Sequence, residues 1–256
     1  MSQARGAWAS SSQALSLQAD LERFEGALLH DLRKLDGAAL CFRSAAEIYD
    51  ALGDSESRAS ALISEGMALR EAGNSQKAVV AFYQALTAID ENADDKLRIS
   101  ALQCLCRGLC DIGKYEHAHL LSRQCSRLFF SSREPGIAIR IDFLNAQIDE
   151  GLGHRLAAEH GYQRCREWFT AAGMLCERAL ATLHLAALLA DEGRTSEVFE
   201  LCNEVSEIFD TVGVARESIA ATLLREATMA PKAELLKAAL HYMERDIHRI
   251  NRKPAG

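Results

Sequence analysis

Apolar residues recur three and four positions apart through most of this chain, the spacing of a single helix face. Leu62 and Leu69 mark one such stripe, Val79, Phe82, Leu86 and Ile89 the next, and Leu102, Leu105, Leu109 and Ile112 a third. The pattern predicts twelve helices with almost no strand, over about 12–34, 36–52, 55–72, 74–91, 94–112, 114–131, 135–152, 154–172, 174–192, 194–212, 214–229 and 231–250. Asn74 and Thr195 follow turn glycines and are placed to cap the next helix. Pro135 and Pro231 suit the first turn of a helix, and the segment around Pro135 is the strongest interruption in the chain.

The breaks themselves are periodic. Gly73, Gly113, Gly153 and Gly193 stand forty residues apart, with Arg33 at the same site one period earlier. Five residues on come Ala38, Ala78, Ala118, Ala158 and Val198; four further come Phe42, Phe82, Ser122, Tyr162 and Cys202; three beyond lie Ala45, Ala85, Cys125, Cys165 and Val205. Small residues let a neighbouring helix approach, and a ring between them fills the gap. A second turn series runs through Gly53, Gly173 and Gly213, with Ala93 and Arg133 in phase. A repeat of this length implies an array in which each unit buries its apolar stripe against its neighbours.

Composition agrees with helix: only 3 prolines and 6% aromatic residues in 256. No apolar run is long enough to span a bilayer, and the Ser/Ala/Gln-rich opening lacks the apolar core of a secretory signal. The reading is a flexible leader over 1–19, repeats over 20–230 and a capping helix with tail over 231–256. A net charge of -7 opposes nucleic-acid binding along an extended surface. The cations near the C-terminus, Arg245, Arg249, Arg252 and Lys253, read as a solvated last turn.

Of the 8 cysteines, Cys125, Cys165, Cys202 and Cys106 fall at repeat positions that other units fill with small or ring residues. They therefore read as packing residues, reduced and metal-free, in a cytoplasmic protein. Cys104, Cys106 and Cys110 with His117 and His119 could be drawn as a metal site, but lack a tight CxxC knuckle, so no metal and no cofactor is expected. Nucleophile elbow, phosphate loop, metalloprotease helix and dinucleotide turn are all missing, so no enzyme is expected. His154, His160 and Glu159 read as surface residues, and Asp149 with Glu150 as a solvated pair at a helix end.

Leu62, Gly66, Leu69, Gly73, Ala78, Phe82 and Ala85 together resemble the tetratricopeptide repeat, and Leu102, Leu105, Leu109, Gly113 and Ala118 resemble it again. The forty-residue period is similar to long-helix variants in bacterial regulators and signalling scaffolds. The proline that often ends the standard repeat is replaced by Asp90. The resemblance implies an all-α, right-handed superhelical solenoid of about six helical hairpins whose first helices line a concave groove. It places Arg23, Ser60, Met67, Arg70, Gln103, Arg107, Arg140, Phe143 and Gln147 on that face as peptide-binding candidates. Arg70, Arg107 and Arg140 would form a ladder suited to carboxylates, unless Glu71, Asp111 and Glu150 satisfy it from within. Leu180, Leu183, Ala187 and Ala190 would either end the groove with an apolar surface or lie buried under the last helices. The expected function is a non-enzymatic scaffold that binds a protein or peptide, an acidic one for preference. The alternative is a ligand- or peptide-responsive bacterial regulatory subunit.

Overall fold

Every element of the computed structural model, which describes residues 2–90, 93, 95–132, 135–212, 219–230 and 232–250, is an α-helix. The described residues form α1 (Ser2–Asp31), α2 (Leu35–Leu52), α3 (Ser55–Glu71), α4 (Ser75–Ala88), α5 (Asp95–Asp111) and α6 (Tyr115–Ser132). They continue with α7 (Pro135–Gly151), α8 (Arg155–Ala171), α9 (Leu175–Ala190), α10 (Thr195–Val212), α11 (Ile219–Met229) and α12 (Ala233–Ile250). The stretch expected as a leader is helical from Ser2 and continues into α1, since Ala, Gln and Ser do not break a helix that the following turns already nucleate. Pro135 opens α7 as expected, while Pro231 and Gly213 lie outside the described residues.

The periodic turns have one cause. Gly53, Gly73, Gly113, Gly153, Gly173 and Gly193 all have φ between 69° and 83°, the left-handed region. After α3, the Gly73 amide donates to the Arg70 carbonyl and the Asn74 amide to the Leu69 carbonyl, which closes the helix end. Arg33, at the glycine site of the first unit, takes the same conformation with φ 60°. Asn74 sits at the N-cap of α4 but makes no side-chain cap bond, and Thr195 is already the first residue of α10. At α3, by contrast, Asp54 does cap the helix, accepting from the Ser57 amide at 3.0 Å.

Two compact units divide the chain at the Pro135 break, Met1–Pro135 and Gly136–Gly256. In the first, α1–α2, α3–α4 and α5–α6 pair as hairpins, α2 packs on α3 and α4 on α5, and the first helices α3 and α5 touch. Its core follows the repeat register: Ala38, Ala45, Ala78 and Ala85 are fully buried, and the Phe42 and Phe82 rings press on Gly26 and Gly66. In the second unit, α8, α9, α10, α11 and α12 pack in sequence, and α12 also lies against α9. That contact settles the apolar end of α9: Leu180, Leu183 and Ala187 are buried in one cluster with Leu224, Leu236, Leu240 and Met243. They are core and not groove.

The seven described cysteines are free thiols, and no described group of three or more His, Cys, Asp or Glu could hold a metal ion. Burial pushes the Cys110 and Cys165 thiols up to about 12, and those of Cys176 and Cys202 up to about 11. The thiolate is the nucleophile, so native protein at pH 8 should leave these four unalkylated while denatured protein labels fully. Mass-resolved alkylation reads this out; rapid native labelling of Cys110 would contradict its packed position. No described helix is long and apolar enough to cross a membrane.

Candidate functional site

The first-helix faces hold ionic pairs that link one repeat to the next. In the first unit Arg70, at the end of α3, donates from Nε to Asp111 Oδ2 at the end of α5, 2.7 Å away. One period earlier Glu71 receives His30 Nε2 at 3.2 Å and the Arg33 guanidinium. Each acid lies just before a turn glycine, so stacking of successive hairpins brings it beside a cation from the previous unit. Burial alone would raise the Glu71 carboxyl, but the hydrogen bond and charge of His30, with Arg33, outweigh it and hold it below the ordinary 4.5. In the second unit Glu150 is also lowered: burial opposes ionisation, and His184, Tyr162 and the Lys237 ammonium overcome it.

A carboxyl with a lowered folded value contributes stability that is complete above its unfolded value and lost as pH falls through the folded one. Thermal melts below pH 4.5 should therefore show a steeper decline for wild type than for Glu71→Gln or Glu150→Gln. Parallel melting curves for all three proteins would show that neither pair contributes.

The predicted ladder is thus partly satisfied from within. Arg70 is tied to Asp111, and Arg107 is half-buried beside Cys110, whose thiol its charge favours in ionised form. Ser60 is exposed, and its carbonyl accepts from Ser64 within α3. Met67 is half-buried against both apolar clusters of the first unit. Gln103, on α5, has its Nε2 buried with no hydrogen-bond partner among the described residues. Arg23 stands on α1, 3.7 Å from Asp20 and over the Phe24 ring at 5.2 Å.

Arg140, Phe143 and Gln147 belong to the second unit, so they are described within it. Arg140 is exposed. Phe143 is not an open pocket wall as expected. It is 7% exposed and edge-on to Tyr162, Phe169 and His184, because the bulky face of α7 is needed to close the core over α8. Gln147 meets His184 Nε2 at 3.1 Å. Tyr162 donates to Glu150 Oε2 at 2.6 Å and stacks on His184 with centroids 5.1 Å apart. Glu150, read from sequence as solvated, is therefore the acceptor of a half-buried network. Glu159, read as a surface residue, accepts both Arg194 Nη1 contacts at 3.0 Å. His184 was missed; the available signal was a tyrosine at the ring site, whose hydroxyl needs a partner when buried.

Two further polar clusters are internal braces. Glu204 on α10 takes Arg166 at 2.5 Å and Arg178 at 2.9 Å, while Thr182 accepts from Arg166. A cleft of about 450 Å³ between α2, α3 and α4 is lined by Arg43, Arg58, Lys77, Glu47, Asp50 and Glu65. Within it, Arg43 pairs with Glu65 and Arg58 with Asp50. Together these faces offer hydrogen-bond donors, a half-buried methionine and a guanidinium, which is chemistry for binding a chain segment.

The class defined by this architecture is an all-α helical-repeat protein. No family model matches the sequence, and no curated protein matches it. Among solved structures the chain is similar to aspartyl phosphate phosphatase F from Bacillus subtilis, with TM-score 0.72 and 13% identity over 94% of this chain and 63% of that one. It is similar also to a Rap protein complexed with competence and sporulation factor, with TM-score 0.73 and 14% identity over 91% of this chain and 66% of that one. BtubC from P. vanneervenii aligns with TM-score 0.57 and 13% identity over 95% of this chain and 94% of that one. The chain thus spans a little under two thirds of the first two structures. At these identities the likeness shows the fold, and supports the tetratricopeptide-type repeat at fold level.

Proposed function

We propose that this chain is a non-enzymatic, cytoplasmic scaffold that binds a protein or peptide segment on the first-helix face of its N-terminal unit. The observation that supports this most directly is the contact of the first helices α3 and α5, which sets the half-buried Met67 and Arg107 at equivalent positions of successive repeats. Met67 offers an apolar contact on the adjoining helix, and Arg107 a guanidinium one turn beyond Gln103 for an acidic residue.

A second reading, a peptide-responsive regulatory subunit, is favoured by the fold likeness to the Rap protein complexed with competence and sporulation factor. It differs from a static scaffold in requiring that the bound peptide change the affinity for another protein.

Display of a random peptide library against the full chain tests both. Enriched acidic peptides should bind Arg107→Glu more weakly by about 1.5–3 kcal/mol, with the melting temperature little changed. Undiminished binding together with a lower melting temperature would make Arg107 a structural residue and move the functional surface elsewhere. Salt-sensitive binding to RNA in place of peptides would overturn the proposal.

A further inference from the structure

Among the described residues, the outer face of α1 is an unpartnered apolar seam. Leu17, Leu21, Phe24 and Leu28 are 63%, 60%, 65% and 60% exposed, although they stand in a helix whose other side is packed. Their spacing of four, three and four is that of alternating core positions in a coiled coil. Ala19 and Gly26 lie on the opposite side, and Gly26 is pressed by the Phe42 ring of α2. The hairpin contact with α2 therefore leaves the seam uncovered. Four such side chains present on the order of 400–500 Å² of apolar surface, the size at which a contiguous patch marks an interaction site.

We propose that this seam pairs with the same seam of a second copy, α1 against α1, antiparallel about a two-fold axis that passes between Leu21 and Phe24. The charges flanking the seam select both the occupant and the direction. Asp20 and Ala27 border it on one side, Gln18 and Glu25 on the other. A parallel pair would set Asp20 against Glu25 of the second copy twice over, a like-charge arrangement. The antiparallel pair sets Asp20 opposite Ala27 and Glu25 opposite Gln18, while Leu17 meets Leu28 and Leu21 meets Phe24. It also brings Arg23 of each copy toward Asp20 of the other, and these two residues already lie 3.7 Å apart within one chain. An isologous interface requires this kind of self-complementarity. Two such seams with their polar borders approach the ~1,200 Å² total of the smaller specific interfaces. The seam is on α1 and the peptide-binding face proposed above is on α3 and α5, so the two readings stand or fall separately.

The test is the mass of the full 256-residue chain by sedimentation equilibrium over a concentration series. The wild type should form a dimer. The double substitution Leu21→Glu with Phe24→Glu should raise the dissociation constant by ~100-fold or more, as expected for two central anchors, with an unchanged helical circular dichroism spectrum. The pair Gln18→Lys with Ala27→Lys should tighten the dimer about tenfold at low salt, since each lysine then faces Glu25 or Asp20 of the second copy. A wild type that stays monomeric at hundreds of micromolar, including one whose seam binds a different protein, would overturn the proposal. So would a dimer that survives the glutamate pair, or lysines that fail to tighten it, which would exclude the antiparallel arrangement.

Discussion

Gly66→Ala should destabilise the N-terminal unit by about 2 kcal/mol, even though alanine is the better helix former. A Cβ built on Gly66 would stand 2.4 Å from Phe82 Cε1 and 2.6 Å from Cδ1, distances no real pair of carbons keeps. Phe82 is 1% exposed and its ring cannot swing away, because Val79, Leu86 and Leu105 pack in the same cluster. Overpacking of this kind costs roughly 1–3 kcal/mol, and a fully enclosed ring belongs at the upper end. Helix propensity returns up to about 1 kcal/mol. The discriminating measurement is a double-mutant cycle in denaturant melts. Phe82→Leu alone should be destabilising, but Gly66→Ala combined with Phe82→Leu should be more stable than the two losses added together. An additive result would mean that the ring does not rest on the glycine.

Arg43→Ala should have an effect at least as large, about 3 kcal/mol. Glu65 sits on α3 with its side chain 2% exposed, and Arg43 on α2 reaches it with Nε 2.9 Å from Oε1 and with a second contact from Nη2. Removing the cation leaves a buried carboxylate without its counter-charge, which typically costs about 3–5 kcal/mol. The Arg43 head is half open to water, so the lower end applies. Replacing both partners by apolar residues of similar size, Arg43→Met with Glu65→Leu, should recover most of the loss, because the desolvation cost of the carboxylate disappears with it. Chemical denaturation of the two single variants and the double variant checks this; a double variant as unstable as Arg43→Ala would show that the pair contributes more than cancellation of a buried charge.

The readings that held are those in which one residue's requirement is local and repeated. Gly73, Gly113, Gly153 and Gly193 were identifiable as turns because a left-handed residue strongly favours glycine, and even Arg33 was placed correctly by phase. Ala78 and Phe82 were identifiable as packing positions because helix spacing puts them on one face, and both are buried. The contact of Phe82 with Gly66, sixteen residues upstream, emerges only in the structure. The opening of α7 at Pro135 follows from a residue that cannot continue a helix backward.

The site was less legible. Arg70 was expected to face a ligand, yet it is engaged by Asp111, forty-one residues away, a distance that means proximity only after hairpins have stacked. Phe143 and Met67 were both expected to line a groove, but Phe143 closes a core and Met67 lies half-open between two clusters. Glu150 was expected in water and is instead bonded by Tyr162 and faced by His184. Leu180, Leu183 and Ala187 could have ended a groove, and the arrival of α12 on α9 made them core.

The sequence by itself determined the helices, their turns and, for most helices, the side that is buried, since those depend on backbone sterics and a period of 3.6 residues within a few turns of chain. Tertiary structure alone decided which polar side chains are consumed by partners and which remain for a ligand. A charge is satisfied by whatever lies within about 3 Å, a charge-assisted hydrogen bond's length, and in a stack of hairpins that neighbour comes from the next repeat. The same reason leaves the outer face of α1 bare: among the described residues no other helix packs on Leu17, Leu21, Phe24 and Leu28.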